Sequence, residues 1–215
     1  MSLDNPRAVL FDFDGTLVDS ERGIVAGWHH TLRTVGLPDL DDGAIRDLIG
    51  PPLVDVAATL APDAETAQAI VTTYLARYDT VGLYEYTPYA GVEPALAALI
   101  ARGHRLAVAT SKTESIALTM LRHMGWDGYF EVVSGAMRDG SRRHKHEVIR
   151  HALDLLGTRD AVMVGDRDHD VNGAHRHALP CIGVLWGYGS ATELSGADAL
   201  ATTPADLPAL ISRVG

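Results

Sequence analysis

Short apolar runs alternating with helical periodicity constrain this chain more than any other feature. Five runs, at 7–13, 105–110, 130–134, 161–165 and 181–185, have the length of buried strands and are flanked by turn residues. Between them GVEPALAALIARG, TESIALTMLRHMG, HKHEVIRHALDLLG and HDVNGAHRHAL carry apolar residues three and four apart, several ending in glycine as a helix stop should. Strand alternating with helix implies an α/β fold, a doubly wound parallel sheet with right-handed crossovers.

One span breaks the alternation. From about residue 17 to 87 no strand is visible, and the sequence reads as helices: SERGIVAGWHHTLRTVG, DDGAIRDLIG, PLVDVAATL and AETAQAIVTTYLARYDTVG, with Gly36, Gly50 and Pro51-Pro52 as breaks. The expected organisation is an α/β core at 1–17 and 88–215 and an inserted helical cap at 18–87, with hinges near 18–22 and 84–91. The insertion is expected over the carboxyl ends of the strands, where open α/β sheets bind ligands.

Composition narrows the class of partner. A net charge of −10 argues against a nucleic-acid polymer, which requires a basic surface. No window approaches the roughly 18 uninterrupted apolar residues of a membrane span, and MSLDNPRAVLF lacks a secretory pattern, so a cytoplasmic protein without a membrane partner is expected. The lone Cys181 excludes an internal disulfide and reads as packing in a strand. Monomer and homodimer are equally compatible with the sequence.

The strand ends gather an unusual polar set. Asp12 and Asp14 close the first run, Thr110 and Ser111 the second, Lys145 opens the helix after the third, and Asp166 closes the fourth with Asp170 one turn beyond. Acids two apart on a strand share a face, so their repulsion needs a cation, and hard oxygen ligands beside phosphate favour Mg²⁺. The parts suggest Asp12 as nucleophile toward phosphorus, giving an aspartyl-phosphate. Asp14 would act as acid and then base, which requires neighbours that favour its neutral form for part of the cycle. Thr110 and Ser111 would donate to phosphoryl oxygens and Lys145 would add positive charge. Asp166 would complete the metal shell, and Asp170 would orient a metal-bound water or Lys145 from behind it. Lys112 is a further candidate for substrate contact, reaching a carboxylate or phosphate, with a plain exposed lysine after the strand as the equal alternative.

With these residues the chain resembles the haloacid dehalogenase superfamily, in the branch of small phosphatases similar to phosphoglycolate phosphatase. DFDGT at 12–16, VATS ending in Thr110 and Ser111, Lys145, and GDRDHD at 165–170 stand in the family's order. The resemblance implies Asp12 as nucleophile and metal ligand, Asp14 as acid and base with its main-chain carbonyl on the metal, Asp166 as metal ligand, and a helical cap. The lysine segment, HKHEVIR, departs from the commoner form in which proline follows the lysine, and the tail GVLWGYGSATELSGADAL adds no obvious chemistry.

The expected activity is Mg²⁺-dependent hydrolysis of a small phosphorylated metabolite, phosphoglycolate first and a nucleoside 5'-monophosphate or sugar phosphate second. A β-phosphoglucomutase-like isomerase would share the nucleophile; a dehalogenase would not need Asp14 or Asp166. A receiver-like switch also collects acids at strand ends but is shorter and lacks a cap. His144 with His146, and His175 with His177, are two apart and on a helix would not share a face, which favours structural or solvated histidines. His29, His30, Arg46 and the turn at 50–53 are candidate cap contacts.

Overall fold

In the computed structural model, residues 6–214 are described. The chain begins with β1 (Ala8–Phe11) and β2 (Val18–Asp19), then runs through α1 (Glu21–Thr34), α2 (Asp42–Asp47), α3 (Leu53–Leu60) and α4 (Ala64–Tyr78). After β3 (Thr87–Pro88) come α5 (Val92–Ala101), β4 (Arg105–Thr113), α6 (Glu114–Met124), β5 (Val132–Ala136) and α7 (Lys145–Leu156). It ends with β6 (Ala161–Gly165), α8 (Asp168–His175), β7 (Cys181–Val184), β8 (Ala199–Ala201) and α9 (Leu207–Ile211). Two compact units result, one of residues up to Val18 and from Pro88 on, the other Asp19–Thr87.

The first unit holds a six-stranded sheet in the order β5-β4-β1-β6-β7-β8, every neighbouring pair parallel. All four residues of β1 are buried, as a strand covered on both faces requires. Leu10, Ala107, Met163 and Cys181 from four strands pack in one cluster with Val148, Ile149 and Ala152 of α7 and Val171 and Ala174 of α8. Each large apolar side chain so buried contributes at most about 1.5–3 kcal/mol. The chain moves outward from β1 to β4 and β5, then returns to β6 on the other flank, so the strand order reverses at β1. Such a switch point is where open α/β sheets bind ligands.

Several sequence expectations shift: the first strand ends at Phe11 and not at residue 13, and the span read as strand-free carries the two-residue strands β2 and β3, too short to write a pattern. The second strand does not stop at Thr110 but runs to Thr113, with a register irregularity between Ala109 and Thr113. The third lies two residues later than 130–134, at Val132–Ala136. A sixth strand, β8, is not marked in the sequence because its apolar run, Ala199–Ala201, is only three residues long.

The second unit is helical. Asp41 caps α2 by accepting the Ala44 N–H at 2.8 Å, and Asp63 caps α4 by accepting that of Thr66 at 2.8 Å. Trp28 of α1 lies with its ring 5.1 Å from that of Tyr74, which stacks on Tyr78 at 5.4 Å. Gly27 permits this approach, since a Cβ there would lie 3.0 Å from the Tyr74 ring.

Candidate active site

Asp12 directly follows β1, and its backbone N–H still donates to Val164 of β6 at 2.9 Å, so the neighbouring strand fixes its position. Its Oδ1 accepts the Phe13 N–H at 2.7 Å. Asp166 directly follows β6 and Asp170 sits in the first turn of α8, both fully buried. Asp12, Asp166 and Asp170 each offer a carboxylate oxygen, and these lie within 4.8 Å of one another.

Lys145, the first residue of α7, enters the group from below. Its Nζ lies 2.8 Å from Asp12 Oδ1 and 2.7 Å from Asp170 Oδ1, and it donates to the Ala109 carbonyl at 3.1 Å. Burial works against its charge, but Asp12 and Asp170 outweigh burial and raise its pKa above the ordinary lysine value. Asp170 also accepts the Arg167 N–H through Oδ2 at 3.0 Å. Burial, opposed by Lys145 and reinforced by Asp12, pushes the Asp170 carboxyl up to about 6. Asp166 is raised well above the usual carboxylate range, first by burial and then by Asp170 and Asp12. Three buried acids served by one lysine are therefore short of positive charge, and their all-oxygen donor set fits a hard divalent cation.

The backbone around the group leaves room only for glycine. A Cβ on Gly15, whose φ is +77°, would fall 2.1 Å from Asp166 Oδ2, and one on Gly187 would fall 2.6 Å from the same atom. On Gly165 it would lie 2.1 Å from Asp170 Cγ. Asp166 is held by donors the sequence reading missed: Thr16 Oγ1 donates to Oδ1 at 3.1 Å and the Tyr188 N–H to Oδ2 at 2.8 Å. The Trp186 indole in turn donates to the Thr16 carbonyl at 3.0 Å. The tail that carried no evident chemistry thus wraps Asp166, and its WGYG glycine alternation was the available signal.

Asp14 is grouped differently from the expectation. Its carboxylate is held by Lys112, whose Nζ lies 2.9 Å from Oδ1 and 3.0 Å from Oδ2. The neighbour supplied is a cation, not a further acid. Lys112 is not an exposed lysine, since its side chain is 6% exposed. The irregularity in β4 lies where Thr110, Ser111 and Lys112 follow one another, and bulges of this kind re-aim side chains. Thr110 is buried and its Oγ1 accepts the Lys112 N–H at 3.1 Å; Ser111 is partly exposed.

The other candidates fall outside this group. Cys181 is buried in the core, and burial pushes its thiol well above the usual range. His144 and His146 do share a face: their rings stack with centroids 5.8 Å apart, because His144 is the extended N-cap of α7 and not a helical residue. His175 lies 3.1 Å from Asp198, and His177 Nε2 is 2.7 Å from the His146 carbonyl. In the helical unit His29 bridges Asp39 at 2.6 Å and Asp42 at 2.9 Å, and Arg46 donates to Glu21 at 2.5 Å. His29, His30 and Arg33 line one shallow cavity of about 490 Å³. No helix among the described residues is long and apolar enough to cross a membrane.

Known proteins share this arrangement of sequence. The chain is 42% identical over 190 residues to the tyrosine-protein kinase PtkA of Mycobacterium tuberculosis, covering 87% of this chain but only 65% of that relative's length. It is 41% identical over 189 residues to a 5'-nucleotidase of Pseudomonas aeruginosa, covering 86% of each. It is 36% identical over 216 residues to a plasmid-encoded phosphoglycolate phosphatase of Cupriavidus necator, covering 95% of this chain and 93% of the relative. The family profile described as haloacid dehalogenase-like hydrolase matches residues 9–184, so by the sequence from β1 to β7, which includes every acid of the buried group, the chain belongs to the haloacid dehalogenase-like hydrolases.

Proposed function

We propose that the protein is a Mg²⁺-dependent phosphatase of small phosphate monoesters, acting through an aspartyl-phosphate on Asp12. The observation that carries this reading is the buried trio Asp12, Asp166 and Asp170 with Lys145, at the carboxyl end of the strand where the sheet order reverses. Relatives bearing phosphatase and nucleotidase names, matched over nearly their whole length, support it. Magnesium held by Asp12, Asp166 and the main chain of Asp14 would supply the positive charge that lets a carboxylate approach a phosphate dianion.

The chain's own residues supply the rest. Asp12 attacks phosphorus along the line opposite the leaving oxygen. Lys145 holds the Asp12 carboxylate in place. Thr110, Ser111 and nearby backbone donors take the phosphoryl oxygens. Asp14 gives a proton to the leaving alkoxide and then removes one from the attacking water. Asp170 holds Lys145 and the first turn of α8 together. The helical unit is proposed as the cap that selects the substrate, a small phosphorylated metabolite, with phosphoglycolate first and nucleoside 5'-monophosphates or sugar phosphates next.

The test is phosphate release from a panel of phosphorylated metabolites with Mg²⁺, repeated in EDTA and with Asp12→Asn. Release that needs the metal and Asp12 is the expected result; release indifferent to both overturns the reading. A second reading is favoured by the kinase relative: transfer of the phosphoryl group to a protein hydroxyl instead of water. Radiolabel passing from γ-labelled ATP to protein tyrosine would select it.

A further inference from the structure

Two lysines stand among the acids of the α/β unit, and they serve different ones. Lys145 is shared by Asp12 and Asp170, whereas Lys112 engages both oxygens of Asp14. Lys112 is built into the fold. Its side chain is 6% exposed, its ammonium lies 5.8 Å from the centre of the buried Phe13 ring, and its N–H donates to Thr110 Oγ1. A surface lysine snorkels to water instead. An ammonium nearly equidistant from two carboxylate oxygens holds that carboxylate by both of them.

We propose that Lys112 is a positioning residue for proton transfer, holding the Asp14 carboxylate apart from the Asp12–Lys145–Asp170 group so that one oxygen is presented to the reacting atoms. The proposal rests on the phosphatase reading. In the first half-reaction an Asp12 oxygen bonds to phosphorus, the bond from phosphorus to the alcohol oxygen breaks, and the proton of Asp14 passes to that oxygen. In the second, water bonds to phosphorus through its oxygen and gives a proton to Asp14, while the acyl-phosphate P–O bond breaks and the Asp12 carboxylate leaves. In each half, Lys112 yields one Asp14 oxygen to the proton transfer and keeps the other.

Leaving groups separate this role from a general loss of structure. Departure of p-nitrophenolate needs no proton, whereas departure of the glycolate alkoxide does. In single turnovers, Lys112→Met should cleave 2-phosphoglycolate at least about tenfold more slowly than wild type while the p-nitrophenol burst from p-nitrophenyl phosphate stays within about twofold. Later turnovers of p-nitrophenyl phosphate should slow, because the water step still needs Asp14. Lys112→Arg should recover most of the phosphoglycolate rate. Should Lys112→Met not fold, Lys112→Gln is measured in the same way. Equal losses on both substrates, or no loss on either, overturn the proposal and leave the phosphatase reading standing. Wild-type protein that cleaves neither substrate overturns both.

Discussion

Lys145 and His29 each hold two carboxylates, yet only the first is part of a candidate site. Lys145 lies 2.8 and 2.7 Å from Asp12 and Asp170, with the three side chains 5%, 9% and 0% exposed. His29 lies 2.6 and 2.9 Å from Asp39 and Asp42, with exposures of 22%, 35% and 76%. The distances match; the surroundings do not. In the buried group water cannot screen the charges, so removing one partner leaves the others unsatisfied and pushes carboxyl groups upward. Around His29 water and mobile ions do much of the same work, and the pair serves as a clamp on the loop before α2. Burial, more than contact geometry, turns a cluster of charges into a place for chemistry.

The largest test of that contrast is on activity. Asp12→Asn should lower phosphate release on the order of 10³-fold or more, while Asp42→Asn, which removes a carboxylate at similar distance from its cation, should leave the rate within about twofold. Comparable losses would erase the distinction. Next comes stability. Lys145→Met strips the cation from two buried acids and should cost about 3–5 kcal/mol in urea unfolding without metal. A cost below about 1 kcal/mol would mean that the acids neutralise themselves by taking up protons.

Metal should act on one cluster alone. At a hundredfold excess over its Kd, Mg²⁺ should raise the wild-type melting temperature by about 5–10 °C, as ligand linkage requires, and the rise should vanish in Asp166→Asn but persist in His29→Gln. The smallest effect belongs to the clamp and depends on pH. Hydrogen bonds to Asp39 and Asp42 raise the His29 pKa above 6.5. A raised folded pKa gives stability that is fully present below the unfolded value near 6.5 and lost as pH rises through the folded one. His29→Gln should therefore melt about 1–2 °C below wild type at pH 6 and coincide with it by pH 9, read by differential scanning fluorimetry. A gap that persisted at pH 9 would assign the loss to packing.

Much of the fold was legible because buried parallel strands write themselves as short apolar runs. The strand at Ala161–Gly165 is bounded as its apolar run predicts, and the four helices of the insertion lie within the segments where apolar spacing placed them. The edge strand β8 escapes because its apolar run, Ala199–Ala201, is only three residues long, too short to stand out. The shared face of His144 and His146 is not legible in their spacing because it depends on a cap residue being extended, a backbone state that spacing does not encode.

The hydrophobic pattern alone places Asp12 directly after β1, Asp166 directly after β6 and Lys145 at the start of α7, because it buries the strand before the first two and the helix that the third begins. Only the tertiary structure decided how those charges are shared out. It gave Lys145 to Asp12 and Asp170, gave Lys112 to Asp14, and closed Thr16 and the Tyr188 backbone around Asp166. Ion pairing falls with distance in space and with access of water, and both are set by segments far apart in the chain, so no local pattern of residues records them.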